Sequence, residues 1–103
     1  MGKIYQNQTK LRFAFNIIDD EGDAVDVSAA TTRRIKWIKR GGAEGYWDAT
    51  GGEYSNGVIY YDVQSVDDLD TPGTMILWTY ITFADGNSAP SEAKKVSIYK
   101  EGQ

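Results

Sequence analysis

Among 103 residues there is no cysteine and no histidine. The first absence excludes disulfides and thiol nucleophiles. The two together exclude the usual zinc sites and every Ser-His-Asp or Cys-His arrangement. Net positive charge is also missing: Lys+Arg 11 against Asp+Glu 15 gives a formal charge of −4. That argues against nucleic acid as a partner, because phosphate neutralisation needs a positive surface. No apolar run near the start is long enough for a secretory signal, and none anywhere approaches a membrane span. Gln6 stands where a myristoylated Met-Gly start carries serine or threonine. The expectation is a soluble protein made in the cytoplasm, with no membrane partner.

The chain length is that of one domain, residues 1–103. Hydrophobic residues make up 41% and charged residues 25%, as in ordinary globular proteins. A chain of this size buries ~65% of the surface it exposes when unfolded, enough for one small core without staples. Aromatics stand out at 13%, with Trp 3, Tyr 7 and Phe 3.

The dominant hydrophobic period is two. In residues 9–17, Leu11, Phe13, Phe15 and Ile17 share one face while Lys10, Arg12 and Asn16 share the other, the pattern of a half-buried strand. Asp19-Asp20-Glu21-Gly22-Asp23 reads as a turn, and 24–27 as a short edge segment. In 31–40, Ile35 and Trp37 oppose Arg34, Lys36 and Ile38; Gly41-Gly42 breaks this strand. The segment 45–50 returns, so 32–50 is an expected hairpin. Asn56-Gly57 is a further hairpin signal. Val58-Ile59-Tyr60-Tyr61-Asp62-Val63 has the β-branched and aromatic content of a strand. Val66 to Gly73 is a connection whose Leu69 is expected to plug the end of the core. In 74–83 both faces are largely apolar, which places that strand centrally. Asp85-Gly86 predicts a hairpin turn before a last strand over 94–100. Glu101-Gly102-Gln103 is a short tail.

Seven or so short strands with regular turn signals predict an all-β, antiparallel two-sheet sandwich of immunoglobulin type. Its expected core is Leu11, Phe13, Phe15, Ile35, Trp37, Ile59, Tyr61, Val63, Leu77, Ile81 and Val96.

The acidic residues sit mostly in Gly- and Pro-marked turns, where they are solvated, rather than as a buried pair suited to acid–base chemistry. Asp19 to Asp23 lacks the spacing and the distal glutamate of a calcium loop. The expectation is therefore no enzyme, no metal and no cofactor. Five of the 11 basic residues fall between Arg33 and Arg40. They read either as a solvated edge-blunting face or as a surface complementary to an acidic partner. The ten tryptophans and tyrosines exceed what a core of this size consumes. The surplus suits a protein interface or, alternatively, a carbohydrate-binding face. Tyr46, Trp47 and Tyr54 lie in or beside Gly-rich turns. Together with Arg34, Lys36 and Arg40 they form the candidate partner-binding set.

Three stretches carry a resemblance: Gly57 to Val63, Asp68-Leu69-Asp70-Thr71-Pro72-Gly73-Thr74, and Tyr80-Ile81-Thr82-Phe83-Ala84-Asp85-Gly86-Asn87. In these the chain resembles small immunoglobulin-like domains of bacteriophage virion proteins, including N-terminal domains of baseplate upper proteins and short head or tail accessory proteins. It departs from antibody-type domains in lacking both cysteines and in carrying Thr74-Met75 where a tyrosine is usual. The resemblance implies a non-enzymatic virion protein that decorates or joins head or tail subunits. Its partners would be other virion proteins or further copies of itself. The carbohydrate-binding alternative would use Trp47, Trp78 and the tyrosines.

Overall fold

A computed structural model describes residues 3–100. The tail Glu101-Gly102-Gln103 and the Met1-Gly2 start lie outside the described residues. The described residues are all-β, with seven strands: β1 (Ile4–Tyr5), β2 (Arg12–Asn16), β3 (Ala30–Ile38), β4 (Glu44–Asp48), β5 (Val58–Asp62), β6 (Gly73–Phe83) and β7 (Ala93–Tyr99). They form a five-stranded sheet in the order β1-β7-β6-β3-β4 and a two-stranded sheet β2-β5.

Alternation alone explains which faces meet. Phe13, Phe15 and Ile17 come from the β2 side and Ile59, Tyr61 and Val63 from the β5 side. They enclose a core with Ile35, Trp47, Met75, Leu77, Ile81 and Ile98 of the larger sheet. β6 is the middle strand of that sheet, as its two apolar faces predict. Its one buried polar side chain, Thr79, is 1% exposed, and its Oγ1 accepts the Glu92 N–H at 2.9 Å. A buried hydroxyl without such a partner would cost the desolvation of the group.

The connections carry their own chemistry. Leu69 is fully buried at the end of a 3-10 turn, Val66–Leu69, and so plugs the core as expected. Asp68 Oδ2 accepts the Ser65 and Gln64 N–H groups at 3.3 and 3.0 Å, and the Tyr61 hydroxyl at 2.6 Å. One carboxylate thus ties the turn to β5. The Asp85-Gly86 turn joins β6 to β7 as predicted, with Phe83 N donating to Asn87 O at 2.9 Å.

Four expectations need correction. The fold is not wholly antiparallel, since β1 pairs with β7 in parallel. Two residues are too short to show a period, so the sequence carries no signal for that strand. The segment 24–27 contributes only an isolated Ile18–Ala24 bridge, so the count of seven is reached with a different membership. Asn56-Gly57 does not close a hairpin, because β4 and β5 belong to different sheets. It ends a 3-10 turn, Tyr54–Asn56, with Gly57 at φ 73°. A Cβ there would stand 2.6 Å from the Ile17 carbonyl oxygen, so the position admits glycine for space as well as conformation. Finally, Leu11, Trp37 and Val96 face the core but are only partly buried.

Candidate functional site

β3 and its neighbours β4 and β6 present one outward face. Register places Lys36 opposite both Tyr46 and Trp78, and Arg34 opposite both Asp48 and Tyr80. The side chains then pair across the diagonals, which long groups can span. The Arg34 guanidinium carbon lies 4.1 Å from the Tyr46 ring centre, and Arg34 Nε donates to Asp48 Oδ1 at 3.1 Å. The Lys36 amine lies 3.9 Å from the Tyr80 ring. Tyr46 is 50% exposed and Tyr80 38% exposed. A shallow depression of about 260 Å³ runs beside them, lined by Lys36, Trp37, Glu44, Gly45, Tyr46 and Trp78. A second one, farther along the face, is lined by Ile38, Arg40, Thr74 and Ile76 among others.

Of the six candidate residues, the structure brings Arg34, Lys36 and Tyr46 together on this face. Arg40 sits in the β3–β4 turn at its far end. Tyr54 does not join them: it lies in the 3-10 turn before β5, with Arg33 stacked on its ring at 4.0 Å.

Trp47 is a correction. It is 8% exposed and stacks on Tyr61 at 4.4 Å and 11°, with Phe13 at 6.0 Å on a near-parallel plane. The expected returning strand is present as β4, which pairs along its whole length with β3; what differs from expectation is the face, since Trp47 lies opposite buried Ile35 rather than out of the core's reach beside the Gly-rich turns. Since Tyr46 and Trp47 are adjacent on a strand, only one can face solvent. Gly45, in turn, leaves room for Trp37: a Cβ there would stand 2.6 Å from its ring. Trp78 and Tyr80 replace Trp47 as the outward aromatics. The signal for them was the second apolar face of residues 74–83.

The basic run is divided by the same alternation. Arg33 donates to the Val27 and Ser28 carbonyls at 3.0 and 2.8 Å. The Lys39 amine meets Asp70 Oδ1 at 2.7 Å, with its side chain only 9% exposed. These two cations hold loops, whereas Arg34 and Lys36 lie over rings of the outward face and Arg40 at its end. The Lys39 hydrogen bond, then that of Thr71, holds the Asp70 carboxyl below its ordinary range. Burial, then the hydrogen bond to Asp68, pushes the Tyr61 phenol well up. Among the described residues no group of three or more acidic side chains converges as a metal site.

No protein-family model matches the chain, and no curated protein is significantly similar to it.

Proposed function

We propose that the chain is a non-enzymatic assembly domain of a bacteriophage particle, decorating or joining head or tail subunits through the outward face of β3, β4 and β6. In this reading it is made in the host cytoplasm and resides in the virion. The observation that carries the binding reading is the pairing of exposed rings with cations: Tyr46 under Arg34 and Tyr80 under Lys36. Tyrosine and arginine are the residue types that anchor protein interfaces, and their mutual stacking presets the side chains before a partner arrives.

The strand order supports an immunoglobulin-like sandwich. β7-β6-β3-β4 follows the G-F-C-C′ order of variable-type domains, and β2-β5 the B–E pairing of the facing sheet. The virion assignment rests on the resemblance in the Gly57–Val63, Asp68–Thr74 and Tyr80–Asn87 stretches. A carbohydrate-stacking face needs open ring surfaces. Here cations already lie over the two exposed tyrosines, which favours a protein partner.

The test is incorporation into particles of the phage that encodes the chain, with Tyr46→Ala, Tyr80→Ala, Arg34→Glu and Lys36→Glu changed singly. At least one aromatic variant should lose about tenfold or more in affinity, as interface anchors do. Wild-type incorporation of all four variants overturns the assignment of the face. Retardation in gels containing soluble polysaccharide, abolished by Trp78→Ala, would establish the sugar-binding reading instead.

A further inference from the structure

The two sheets are unequal, and the smaller one ends in a bare edge. In the β2–β5 pair, Val63 N donates to Leu11 O at 2.8 Å and Ile17 N to Gly57 O at 2.6 Å, with Phe13 opposite Tyr61 and Phe15 opposite Ile59. Antiparallel alternation therefore turns the N–H and C=O groups of Phe13 and Phe15 toward β5, and those of Arg12, Ala14 and Asn16 away from it. The opposite edge of the same sheet is closed. Tyr60 N donates to Gly51 O, Thr50 N to Tyr60 O, Val58 N to Glu53 O, and Asp62 N to Thr50 Oγ1. Nothing equivalent lies along β2 among the described residues.

The facing strand tells the same story. On β7, Val96 and Lys94 pair with the buried Met75 and Leu77 and so point inward. Yet Val96 is only partly buried and Lys94 is exposed, with its amine 5.1 Å from the Phe15 ring. At this height β7 is paired by β6 alone, since β1 meets it only at Ile98 and Tyr99, and an inward lysine there marks a ledge that the two-stranded sheet fails to cover. Arg12 does not guard this edge: its guanidinium is bound to Asp62 at 2.6 Å and stacked on Tyr60 at 3.7 Å. Ala14 and Asn16 are small. The larger sheet's open edges are less inviting: β4 carries Glu44 and Asp48, and the stretch of β7 that β1 leaves unpaired carries Lys94 and Lys95, charges that blunt a strand edge.

We propose that the β2 edge accepts an extended segment of a partner polypeptide as a third strand of the smaller sheet. Its three outward residues offer six backbone groups, which suits a segment of about five residues. Alternate side chains of that segment would face inward over the ledge. The chemistry there calls for an apolar residue against Val96 and, two residues away, a carboxylate for Lys94. This interface is separate from the outward face of β3, β4 and β6 and stands or falls independently of it.

The probe is a blocked heptapeptide with threonine at outward positions and valine, aspartate and valine at inward ones, titrated into the full chain and followed by amide NMR and hydrogen exchange. In the free chain, the amides of Arg12, Ala14 and Asn16 should exchange about a hundredfold faster than those of Phe13 and Phe15. Saturating peptide should protect the first three. Replacing the peptide aspartate by lysine should weaken binding about fivefold, and Lys94→Glu should reverse that preference. A peptide N-methylated at its hydrogen-bonding amides should not bind. The proposal is overturned if these amides are already protected in the free chain, or if peptides with valine, isoleucine or phenylalanine inward cause no shifts at millimolar concentration. It is equally overturned by shifts that map to Glu44–Asp48, or by protection that rises with protein concentration alone. The last result would assign the edge to a second copy of the chain.

Discussion

Tyr46 and Trp47 are adjacent in sequence and should respond oppositely to truncation. Trp47 is 8% exposed, fills the space between the sheets and stacks on Tyr61 at 4.4 Å. Emptying a large aromatic site costs about 3–5 kcal/mol. Domains of this size are stable by about 5–15 kcal/mol, so Trp47→Ala should remove a large share of the whole. Tyr46 is half exposed and its main contact is the Arg34 cation, an interaction worth about 0.5–1 kcal/mol at exposed sites. Urea denaturation at 25 °C measures both. With a slope of about 2 kcal/mol/M, Trp47→Ala should lower the midpoint by roughly 2 M and Tyr46→Ala by roughly 0.5 M or less. Trp47→Phe should keep both fold and binding, since it retains an aromatic core group. A loss below about 1 kcal/mol for Trp47→Ala, the loss expected instead of an exposed or collapsible site, would show that β4 presents the other face.

Two further predictions concern titration. Removing either partner of the Tyr61–Asp68 hydrogen bond should destabilise the chain by about 1.5–3 kcal/mol, and a double-mutant cycle of Tyr61→Phe and Asp68→Ala should show losses well short of additive. Because the folded phenol pKa is raised above its ordinary value of 10.0, its contribution is complete below pH 10 and is lost as pH rises beyond it; Tyr61→Phe should flatten that alkaline limb in melting curves. Asp70 behaves in the opposite sense: its folded pKa is lowered from 3.8, so its contribution is present above about pH 4 and is lost as pH falls through the folded value. Asp70→Asn should therefore be less sensitive to acid in that window than the wild type.

The strands with long alternating stretches were legible in the sequence. Phe13 and Phe15, Ile59 and Tyr61, and Leu77 and Ile81 all lie in the core expected of them. What period two does not encode is which sheet a strand joins. Asn56-Gly57 has the composition of a hairpin turn, yet here it ends a crossing between sheets, a difference decided by the pairing of β5 with β2 some 45 residues away in the chain. Nor does local composition fix which face of a short strand turns inward. Gly45 lies within β4 and the glycines at 51 and 52 follow it, so Trp47 stands beside glycines in the sequence; pairing opposite buried Ile35 of β3 sets its face. For the site, alternation along the strand already separates Arg34 and Lys36 from Arg33 and Lys39, but that the second pair holds loops depends on carbonyls and a carboxylate that come close only in three dimensions.

The formal charge of −4 is not the charge a docking partner meets. Much of the acid is spent on turns. Asp19 accepts the N–H groups of Glu21 and Asp23, Asp26 that of Ser28, Asp68 those of Gln64 and Ser65, and Asp85 that of Asn87. Such carboxylates lie at the ends of the strands, where loops need acceptors for backbone donors that no ladder satisfies. The cations instead lie along the strands and over rings: Arg12 on Tyr60, Arg34 on Tyr46, Lys36 on Tyr80 and Lys94 on Phe15. Strands present faces and edges while turns present tips, so this partition gives an acidic molecule a basic, aromatic flank. Beyond one Debye length, about 8 Å at physiological salt, the distant acids are screened, and at the face itself Arg34, Lys36 and Arg40 stand against Glu44 and Asp48. An acidic partner surface can therefore be attracted to the β3–β4–β6 face despite the overall sign.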